Sequence, residues 1–392
     1  MNPFLQGKTP SVFGRCDRKF QAVADAFAAN FTERGEQGDV GASCAVMVDG
    51  ELVVDLWGGF ADVAGDRPWA EDTLSCCWSV SKGLGAALGL MMVDQGKLDL
   101  DAPVARYWPA FGKNGKDKIL VRHLFDHRAA VTFVDAALKS GDLYDWDTMI
   151  AAIEATAPNW PPGEKAVYLN MTQGYLLGGL CEKVNGGRRL AQALREDLAG
   201  PLHLDWHFAV PDAVLPRLAR VYQVPSAGFT EFLAKNPDTI FAKSMKGRDP
   251  DEDYNSRKWR KAEIGSGSSH TNARAMARLY GCLARGGELD GARVMSPATI
   301  RHATSEAVRG PDPIFGVELR FSTGFEMDCP PATPMGGGPR AFGYLGAGGS
   351  FAFADPDLKL GFGYAHNFMH MGVGPGPCGG PLVEAALAAA RR

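Results

Sequence analysis

The chain has 392 residues, a formal net charge of -4 and an ordinary globular composition, with 45% hydrophobic and 22% charged residues. This length exceeds what one hydrophobic core usually organises, so we expect two lobes or one large domain with an inserted subdomain. The slight acidic balance and the lack of a long Lys/Arg run argue against nucleic acid and an anionic membrane surface as partners.

The amino terminus predicts the compartment. Residues 1–8 show no apolar segment behind a basic start, and no later stretch supplies about 18 uninterrupted apolar residues. We therefore expect no export signal, no membrane span and a cytoplasmic location. The eight cysteines are then expected to be free thiols, because a chain of this size does not need disulfide bonds. Adjacent Cys76 and Cys77 are expected to pack in the core.

Two elements are predicted near the start of the chain. Apolar residues recur at spacings of three and four over residues 17–35, which predicts an amphipathic helix. β-rich runs at 43–48 and 51–57 meet at Asp49-Gly50, a dipeptide that readily adopts the positive φ angles of a tight turn. The sequence therefore predicts a helix followed by a β-hairpin.

Helical patterns dominate the middle of the chain, and strands return near its end. A helix is predicted from Ser79 to a break at Gly96. Further helices are predicted at 121–125, 146–156, 173–184 and 190–198, strands at 315–322, 349–354 and 358–366, and a last helix at 382–390. The glycine- and proline-rich residues 372–381 are expected to form a surface loop.

This order of elements predicts the fold class. We expect an α+β fold in which an antiparallel β-sheet is flanked by helices and carries an inserted, mainly helical lobe. Residues 1–78 and 265–392 are expected to form the α/β domain, and residues 79–264 the helical lobe. The active site is expected in the cleft between the two.

A Ser-x-x-Lys arrangement lies at a predicted helix start, at Ser79 and Lys82. A step of three residues puts both side chains on one face of a helix, so that the amine contacts the hydroxyl. A lysine whose pKa is lowered by partial burial can remove the serine proton, and the N–H groups of the first helical turn favour negative charge beside it. On its own, this pair also fits an ordinary exposed helix start.

Two later segments carry groups suited to the same chemistry. Tyr168-x-Asn170 lies on a loop before an apolar helix, where a phenol can shuttle a proton and an amide can hold a substrate carbonyl. Tyr344-x-Gly346 lies in a glycine-rich stretch, where a backbone N–H can complete an oxyanion hole with that of Ser79. Taken singly, Tyr168 also fits a half-buried packing tyrosine, and the glycines fit a bulged strand.

The three segments, in this order and at these separations, resemble the signature elements of the serine β-lactamase and penicillin-binding-protein superfamily. The resemblance covers nearly the whole chain and is greatest to the class C β-lactamase-like esterases, often called family VIII carboxylesterases. Residues 124–129 and 286–291 resemble further segments of these proteins. Because His127 lies in the first of them, the resemblance implies a structural rather than a catalytic role for this histidine.

The resemblance implies a role for each matching position. Ser79 is expected to be the acylated nucleophile, with Lys82 and Tyr168 as a coupled base and acid. The backbone N–H groups of Ser79 and Ala347 are expected to form the oxyanion hole. The substrate-binding positions implied by the family are Asn170, Tyr344 and Gly346.

One departure from the family pattern bears on the substrate. Where β-lactamases and peptidases of the superfamily carry Lys-Thr-Gly or a similar motif, this chain has Tyr344-Leu345-Gly346 and lacks the cation that meets an antibiotic's carboxylate. We therefore expect hydrolysis of small, short-acyl esters. Weak β-lactam hydrolysis stays open, because Arg340 is near enough in sequence to supply a charge. An amidase, D-aminopeptidase or transesterase on the same scaffold, and an acylable binding protein without turnover, remain alternatives.

Cofactor motifs are missing or misplaced. No His-Glu-x-x-His or paired Cys-x-x-Cys occurs, so we predict neither a metal nor another cofactor. A Gly-x-Gly-x-x-Gly match at Gly374, Gly376 and Gly379 lies among prolines with no strand before it, which disfavours a dinucleotide site. The expected partner is a small-molecule ester, and the sequence predicts no oligomeric state.

Overall fold

The structure is a computed structural model that describes residues 1–223, 231, 233–249, 253–370, 372 and 374–392. The strands are β1 Val12–Cys16, β2 Gly41–Val48, β3 Glu51–Asp62, β4 Arg67–Pro68, β5 Ser75–Cys76, β6 Trp206–His207, β7 Tyr222–Gln223, β8 His270–Thr271, β9 Glu288–Leu289, β10 Ala292–Arg293, β11 Glu306–Asp312, β12 Val317–Ser322, β13 Glu326–Met327, β14 Phe342–Leu345, β15 Phe351–Asp355, β16 Leu360–His366 and β17 Phe368–Met369. The helices are α1 Gln21–Thr32, α2 Val80–Asp94, α3 Val121–Phe125, α4 Trp146–Ala155, α5 Thr172–Val184, α6 Leu190–Ala193, α7 Ile240–Ser244, α8 Arg257–Lys261, α9 Ala273–Ala284, α10 Pro297–Ala303 and α11 Gly376–Ala390.

One sheet of ten strands organises the fold. Its order is β1-β3-β2-β16-β15-β14-β13-β12-β11, with β4 paired to β3, and every pairing is antiparallel. Strands from both ends of the chain therefore meet at β2 and β16. The predicted α+β fold with an antiparallel sheet is confirmed.

The predicted hairpin forms β2 and β3. Val48 pairs with Glu51, so Asp49 and Gly50 make a two-residue turn. Both turn residues have positive φ, 48° at Asp49 and 91° at Gly50. This geometry matches the right-handed twist of the flanking strands, which explains why this dipeptide stands where the chain reverses.

The sheet is buried on both faces. Cys44 and Val46 of β2 belong to the cluster that includes α1 and α11, whereas Ala45 and Met47 face the larger cluster with α2 and α9. Helix α9 approaches β16 so closely that a Cβ atom at Gly361 would lie 2.2 Å from the Gly281 nitrogen. Only glycine permits this approach of two backbones.

Helices α2 to α8 lie between the two sets of strands along the chain, and short strands β5, β8 and β6 form a separate three-stranded sheet beside them. Residue 79 begins this stretch, at the point where β5 leads into α2. We propose that residues 1–78 and 265–392 form the α/β domain and that residues 79–264 form the mainly helical lobe.

The last helix begins earlier than its sequence indicates. Residues 372–381 were expected to form a surface loop, but α11 starts at Gly376 and contains Pro381. Pro377 stands in the first turn, where the N–H groups have no helical partner, whereas Pro381 lies inside the helix and leaves out one helical hydrogen bond. The segment packs on the sheet, where a Cβ atom at Gly379 would lie 2.5 Å from the Phe351 ring. Tertiary packing therefore overrides the local loop signal.

In the part of the chain that the structure describes, every helix falls short of the length and apolar content that a bilayer span requires. The eight cysteines are free. Cys76 and Cys77 are buried, as expected. Burial raises the pKa of the Cys77 thiol to about 11, so this neighbour of Ser79 stays protonated near neutral pH.

Candidate active site

Ser79 lies at the N-terminus of α2, on the wall of a cavity of about 300 Å³. The preceding residue, Trp78, has a φ of 51°, a left-handed conformation that few non-glycine residues adopt. The Trp78 ring packs edge-on against Tyr254, with ring centroids 4.5 Å apart, and lies 5.6 Å from Trp259. These contacts hold the sharp turn that presents Ser79 to the cavity.

Lys82 reaches Ser79 from one turn along the helix. Its Nζ donates to Ser79 Oγ at 3.2 Å and to the Ser266 carbonyl at 3.1 Å. The side chain is only 2% exposed, and this burial lowers the pKa of Lys82 to about 7, although the charge of Glu326 acts in the opposite direction. A large fraction of the amine is therefore neutral near neutral pH, as a general base requires.

Tyr168 completes a contact group with Ser79 and Lys82. Its hydroxyl interacts with the Ser79 side chain, and Lys82 Nζ lies 4.8 Å from the centre of its ring. Burial, with a smaller contribution from Glu326, raises the pKa of Tyr168 well above its ordinary value. The residue is thus a neutral phenol near pH 7, suited to donating or relaying a proton.

The backbone fixes Tyr168 in place. Its N–H donates to Asp312 Oδ2 at 2.7 Å, and His127 stacks on its ring at 5.1 Å between centroids. His127 Nδ1 accepts from the Leu169 N–H at 2.9 Å. Burial lowers the pKa of His127 well below its ordinary value, so it is a neutral ring that positions the tyrosine segment.

Ala347 follows β14 and lines the same cavity as Ser79. A Cβ atom at Gly346 would lie 2.7 Å from the Cys77 carbonyl oxygen and 3.4 Å from Trp78 Cβ, so the end of β14 packs tightly on the turn before Ser79. Among the described residues, the N–H groups of Ser79 and Ala347 donate to no other group. Both N–H groups are therefore available as hydrogen-bond donors beside the cavity.

Of the three substrate-binding positions that the resemblance implies, one lines the cavity and two do not. Asn170 lines the cavity, and its Nδ2 donates to Ser244 Oγ at 3.1 Å. Tyr344 is buried instead, with its hydroxyl 3.3 Å from His127 Nε2 and 3.4 Å from Gln173 Nε2. Within the described residues, neither Tyr344 nor Gly346 lines the cavity. Both support the site from behind its wall.

Arg340, considered above as a substitute cation, lies elsewhere. Its side chain is 60% exposed and pairs with Asp357, and it does not line the cavity among the described residues. The lining contains a different arginine, Arg248, whose guanidinium lies 5.6 Å from the centre of the Tyr254 ring.

Glu326 is a site residue that the sequence did not indicate. It lies on β13, lines the cavity, is 4% exposed and accepts a hydrogen bond from the Leu345 N–H at 3.2 Å. Burial raises the pKa of Glu326 to about 7, whereas the Leu345 hydrogen bond and the charge of Lys82 lower it. No short motif marks this glutamate, because its place depends on the pairing of β13 with β14.

The rest of the cavity wall is largely apolar and aromatic. Its apolar side chains are Trp78, Leu143, Met171, Phe241, Met245, Tyr254, Trp259, Phe315 and Met369. A cavity of this kind holds a small apolar group next to the polar contact group of Ser79, Lys82 and Tyr168.

Comparison with known proteins decides the family. The β-lactamase family model matches residues 25–376. The chain is 34% identical over 367 residues to the esterase/β-lactamase LipL of Mycobacterium tuberculosis (strain ATCC 25618 / H37Rv), across 88% of this chain and 80% of that protein. The chain belongs to the β-lactamase family. It is therefore a serine hydrolase, and its predicted place among the serine β-lactamases and penicillin-binding proteins is confirmed.

Solved structures agree with this placement. The crystal structure of a family VIII carboxylesterase has a TM-score of 0.87 and 35% identity, and the match covers 97% of this chain and 100% of that one. The structure of EstA from Arthrobacter nitroguajacolicus Rue61a has a TM-score of 0.85 and 28% identity, with 96% and 98% of the two chains covered. This β-lactamase-family chain thus shares nearly its whole fold with a family VIII carboxylesterase.

Proposed function

We propose that the protein is a serine carboxylesterase that hydrolyses small, short-acyl esters through an acyl-enzyme on Ser79. The observation that carries the proposal is the 3.2 Å contact between Lys82 Nζ and Ser79 Oγ in a buried setting. The names of two similar proteins, an esterase/β-lactamase and a family VIII carboxylesterase, support an ester as substrate.

In the proposed acylation step, the neutral amine of Lys82 accepts the Ser79 hydroxyl proton while Oγ attacks the ester carbonyl carbon. The carbonyl oxygen becomes an oxyanion, and the N–H groups of Ser79 and Ala347 donate to it. In other acyl-transfer enzymes, loss of one such donor costs about 2.7–4 kcal/mol of transition-state stabilisation. The Tyr168 phenol then protonates the departing alkoxide and recovers a proton from the Lys82 ammonium.

In the proposed deacylation step, a water molecule attacks the acyl carbon. Its proton passes to the Lys82 amine, directly or through Tyr168, and a second tetrahedral oxyanion forms at the same two donors. Collapse of this intermediate breaks the bond to Ser79 Oγ, which takes the proton back. Ester and water have then become acid and alcohol, and each group has returned to its starting state.

Glu326 is proposed to tune the basicity of this group. The carboxylate opposes the burial that lowers the pKa of Lys82, so it keeps the amine basic enough to accept the serine proton. It also disfavours ionisation of Tyr168. A single buried carboxyl group thereby keeps the tyrosine as the acid and leaves the lysine as the base.

The cavity supports a small substrate. About 300 Å³ lies at the lower end of the range for ligand pockets, and the lining is rich in aromatic side chains. A short acyl chain fits such a space beside Ser79, with its carbonyl directed to the two backbone donors.

Weak β-lactam hydrolysis is a second candidate activity. It is supported by the name of the relative LipL, an esterase/β-lactamase, and by the presence of Arg248 in the cavity lining, since a β-lactam carboxylate pairs with a cation. We expect turnover of nitrocefin with kcat/KM at least about 100-fold below that for a p-nitrophenyl ester.

The test compares p-nitrophenyl acetate and butyrate with the matched p-nitroanilides. Multiple turnovers on the esters, with kcat/KM at least about 100-fold above the anilides, are expected because an amide leaving group needs stronger protonation. Equal or faster cleavage of the anilides would instead identify an amidase. One equivalent of released nitrophenol without further turnover would identify an acylable binding protein.

A further inference from the structure

A second group of polar side chains lies beyond the contact group of Ser79. This Asp-His-His-Cys cluster consists of Asp39, His366, His370 and Cys378. Potential ligand atoms of Asp39, His370 and Cys378 all lie within 4.8 Å of one another. His366 Nδ1 lies 3.6 Å from Asp39 Oδ1. The cluster joins the segment before β2, the end of β16, the residue after β17 and the first turn of α11.

The cluster contains buried polar atoms that lack partners. In the described part of the chain, Asp39 Oδ1, His366 Nδ1 and His370 Nε2 have no hydrogen-bond partner. Asp39 is 0% exposed and His366 4% exposed, and a separation of 3.6 Å between their atoms is too long for a hydrogen bond. Leaving such groups unpaired is costly, and an ion is one of the few explanations for several of them at one point.

Other contacts fix the orientation of the Asp39 carboxylate and the His366 ring. Asp39 Oδ2 accepts from Tyr364 Oη at 2.5 Å and from Asn30 Nδ2 at 3.2 Å, which leaves Oδ1 directed at the histidines. The His366 ring stacks on the Tyr364 ring, with 5.1 Å between centroids, and its Nδ1 is a nitrogen without a hydrogen-bond partner in the described part of the chain. Metal-binding histidines and carboxylates are oriented in this way by their outer contacts.

We propose that the Asp-His-His-Cys cluster binds one divalent transition-metal ion, with Zn²⁺ as the ion that its donors fit best. One oxygen, two ring nitrogens and one sulfur are a tetrahedral Zn²⁺ donor set. Bonds of about 2.0–2.3 Å place the ligand atoms roughly 3.3–3.8 Å apart. The atoms of Asp39, His370 and Cys378, which lie within 4.8 Å of one another, therefore have to approach by up to about 1.5 Å, and His366 joins them from the side of Asp39.

The charges balance at this site. Cys378 Sγ donates to the Gln37 carbonyl at 3.3 Å, and on metal binding this thiol releases its proton to solvent, as does Asp39 where it is protonated. A thiolate and a carboxylate then neutralise the two positive charges of the ion, and both imidazoles stay neutral. No oxidation or reduction is involved.

The Asp-His-His-Cys cluster is connected to the candidate active site through His370. His370 also lines the cavity, and its N–H donates to the Gly348 carbonyl at 3.0 Å, beside Ala347. The bound ion therefore anchors the loop that carries the second oxyanion donor. This link rests on the proposed function, whereas the metal site itself does not.

The test titrates the chelator-treated full chain with ZnCl₂ against a chromophoric chelator, and with CoCl₂ by absorption spectroscopy. The variants are Cys378→Ser and His370→Gln, and Cys181→Ser is the control, since Cys181 is buried in α5 away from the cluster. We expect one Zn²⁺ per wild-type and control chain, and binding more than about 100-fold weaker in both cluster variants, beyond the loss typical of an outer contact.

Two further measurements keep the proposal falsifiable if a variant folds poorly. Wild type with Co²⁺ is expected to show thiolate-to-metal charge-transfer absorption, and Zn²⁺ is expected to raise its Tm by several degrees. No stoichiometric Zn²⁺ binding by wild type, or equal binding by Cys378→Ser and His370→Gln, would overturn the proposal. Ser79→Ala is expected to bind Zn²⁺ like wild type, because Ser79 is not part of the cluster. The Zn²⁺ titration therefore tests the metal site independently of the proposed esterase activity.

Discussion

Lys82 Nζ donates to Ser79 Oγ at 3.2 Å from a position three residues further along α2. The helix fixes this distance, because residues three apart share one face. The sheet and the surrounding helices bury the amine and lower its pKa to about 7. Local geometry thus supplies the contact between the two side chains, and the tertiary fold supplies the basicity.

The pH dependence tests the role of Lys82. Because burial lowers its pKa to about 7, the amine loses its proton as the pH rises through this value, and only the neutral amine accepts the serine proton. We expect kcat/KM for p-nitrophenyl butyrate to rise between about pH 6 and 8 and then level off. A flat profile across this range would argue against an amine base.

Glu326→Gln tests the coupling in the same profile. The carboxylate raises the pKa of Lys82, so its removal is expected to shift the rising limb to lower pH, by about half to one unit. Glu318→Gln is the matched control, since Glu318 is exposed on β12, and its profile is expected to follow wild type. An unshifted limb in Glu326→Gln would remove the proposed role of this residue.

Tyr168→Phe tests the proton relay. Loss of the hydroxyl beside Ser79 is expected to lower kcat by at least about 100-fold with little change in KM, since positioned acid–base groups contribute about 10²–10⁴-fold. The control is Tyr280→Phe, because Tyr280 Oη is buried without a hydrogen-bond partner among the described residues. We expect the control to keep its activity. Similar losses in both variants would point to a packing effect instead.

Gly346→Ala tests the position of the second oxyanion donor. A Cβ atom there would lie 2.7 Å from the Cys77 carbonyl oxygen and 2.8 Å from that of Ser350, so the loop with Ala347 has to move. We expect kcat to fall by about 10- to 100-fold in a folded protein.

The control for this substitution is Gly85→Ala in the same region. No atom beyond its own helical turns lies within 4 Å of a Cβ at Gly85, and alanine favours a helix interior by up to about 1 kcal/mol. Its kcat is expected to match wild type and its Tm to stay level or rise. A Gly346→Ala variant with wild-type kcat would show that the close packing at β14 does not matter for the reaction.

Local sequence signals predicted those features that local physics determines. The Asp49-Gly50 turn needs only two residues that tolerate positive φ, and the Ser79–Lys82 contact needs only a helix. The short strands β13 and β14 had no such signal, because their pairing depends on partners elsewhere in the sheet.

The same distinction applies to the candidate site. Glu326 reaches the cavity through strand pairing, and Tyr344 lies behind its wall, with its hydroxyl near His127 and Gln173. The spacing of Tyr344 and Gly346 along the chain could not reveal which of them lines a cavity. The Asp-His-His-Cys cluster is likewise assembled from distant segments, which explains why it matches no contiguous metal motif.

The most direct test of the central claim is turnover of p-nitrophenyl butyrate by wild type and by Ser79→Ala, with intact-mass detection of the acyl adduct. We expect multiple turnovers in wild type, an adduct that maps to Ser79, and loss of both in the variant, by about 10³-fold or more in kcat. Undiminished turnover by folded Ser79→Ala, or an adduct on another residue, would contradict the assignment of Ser79 as the nucleophile.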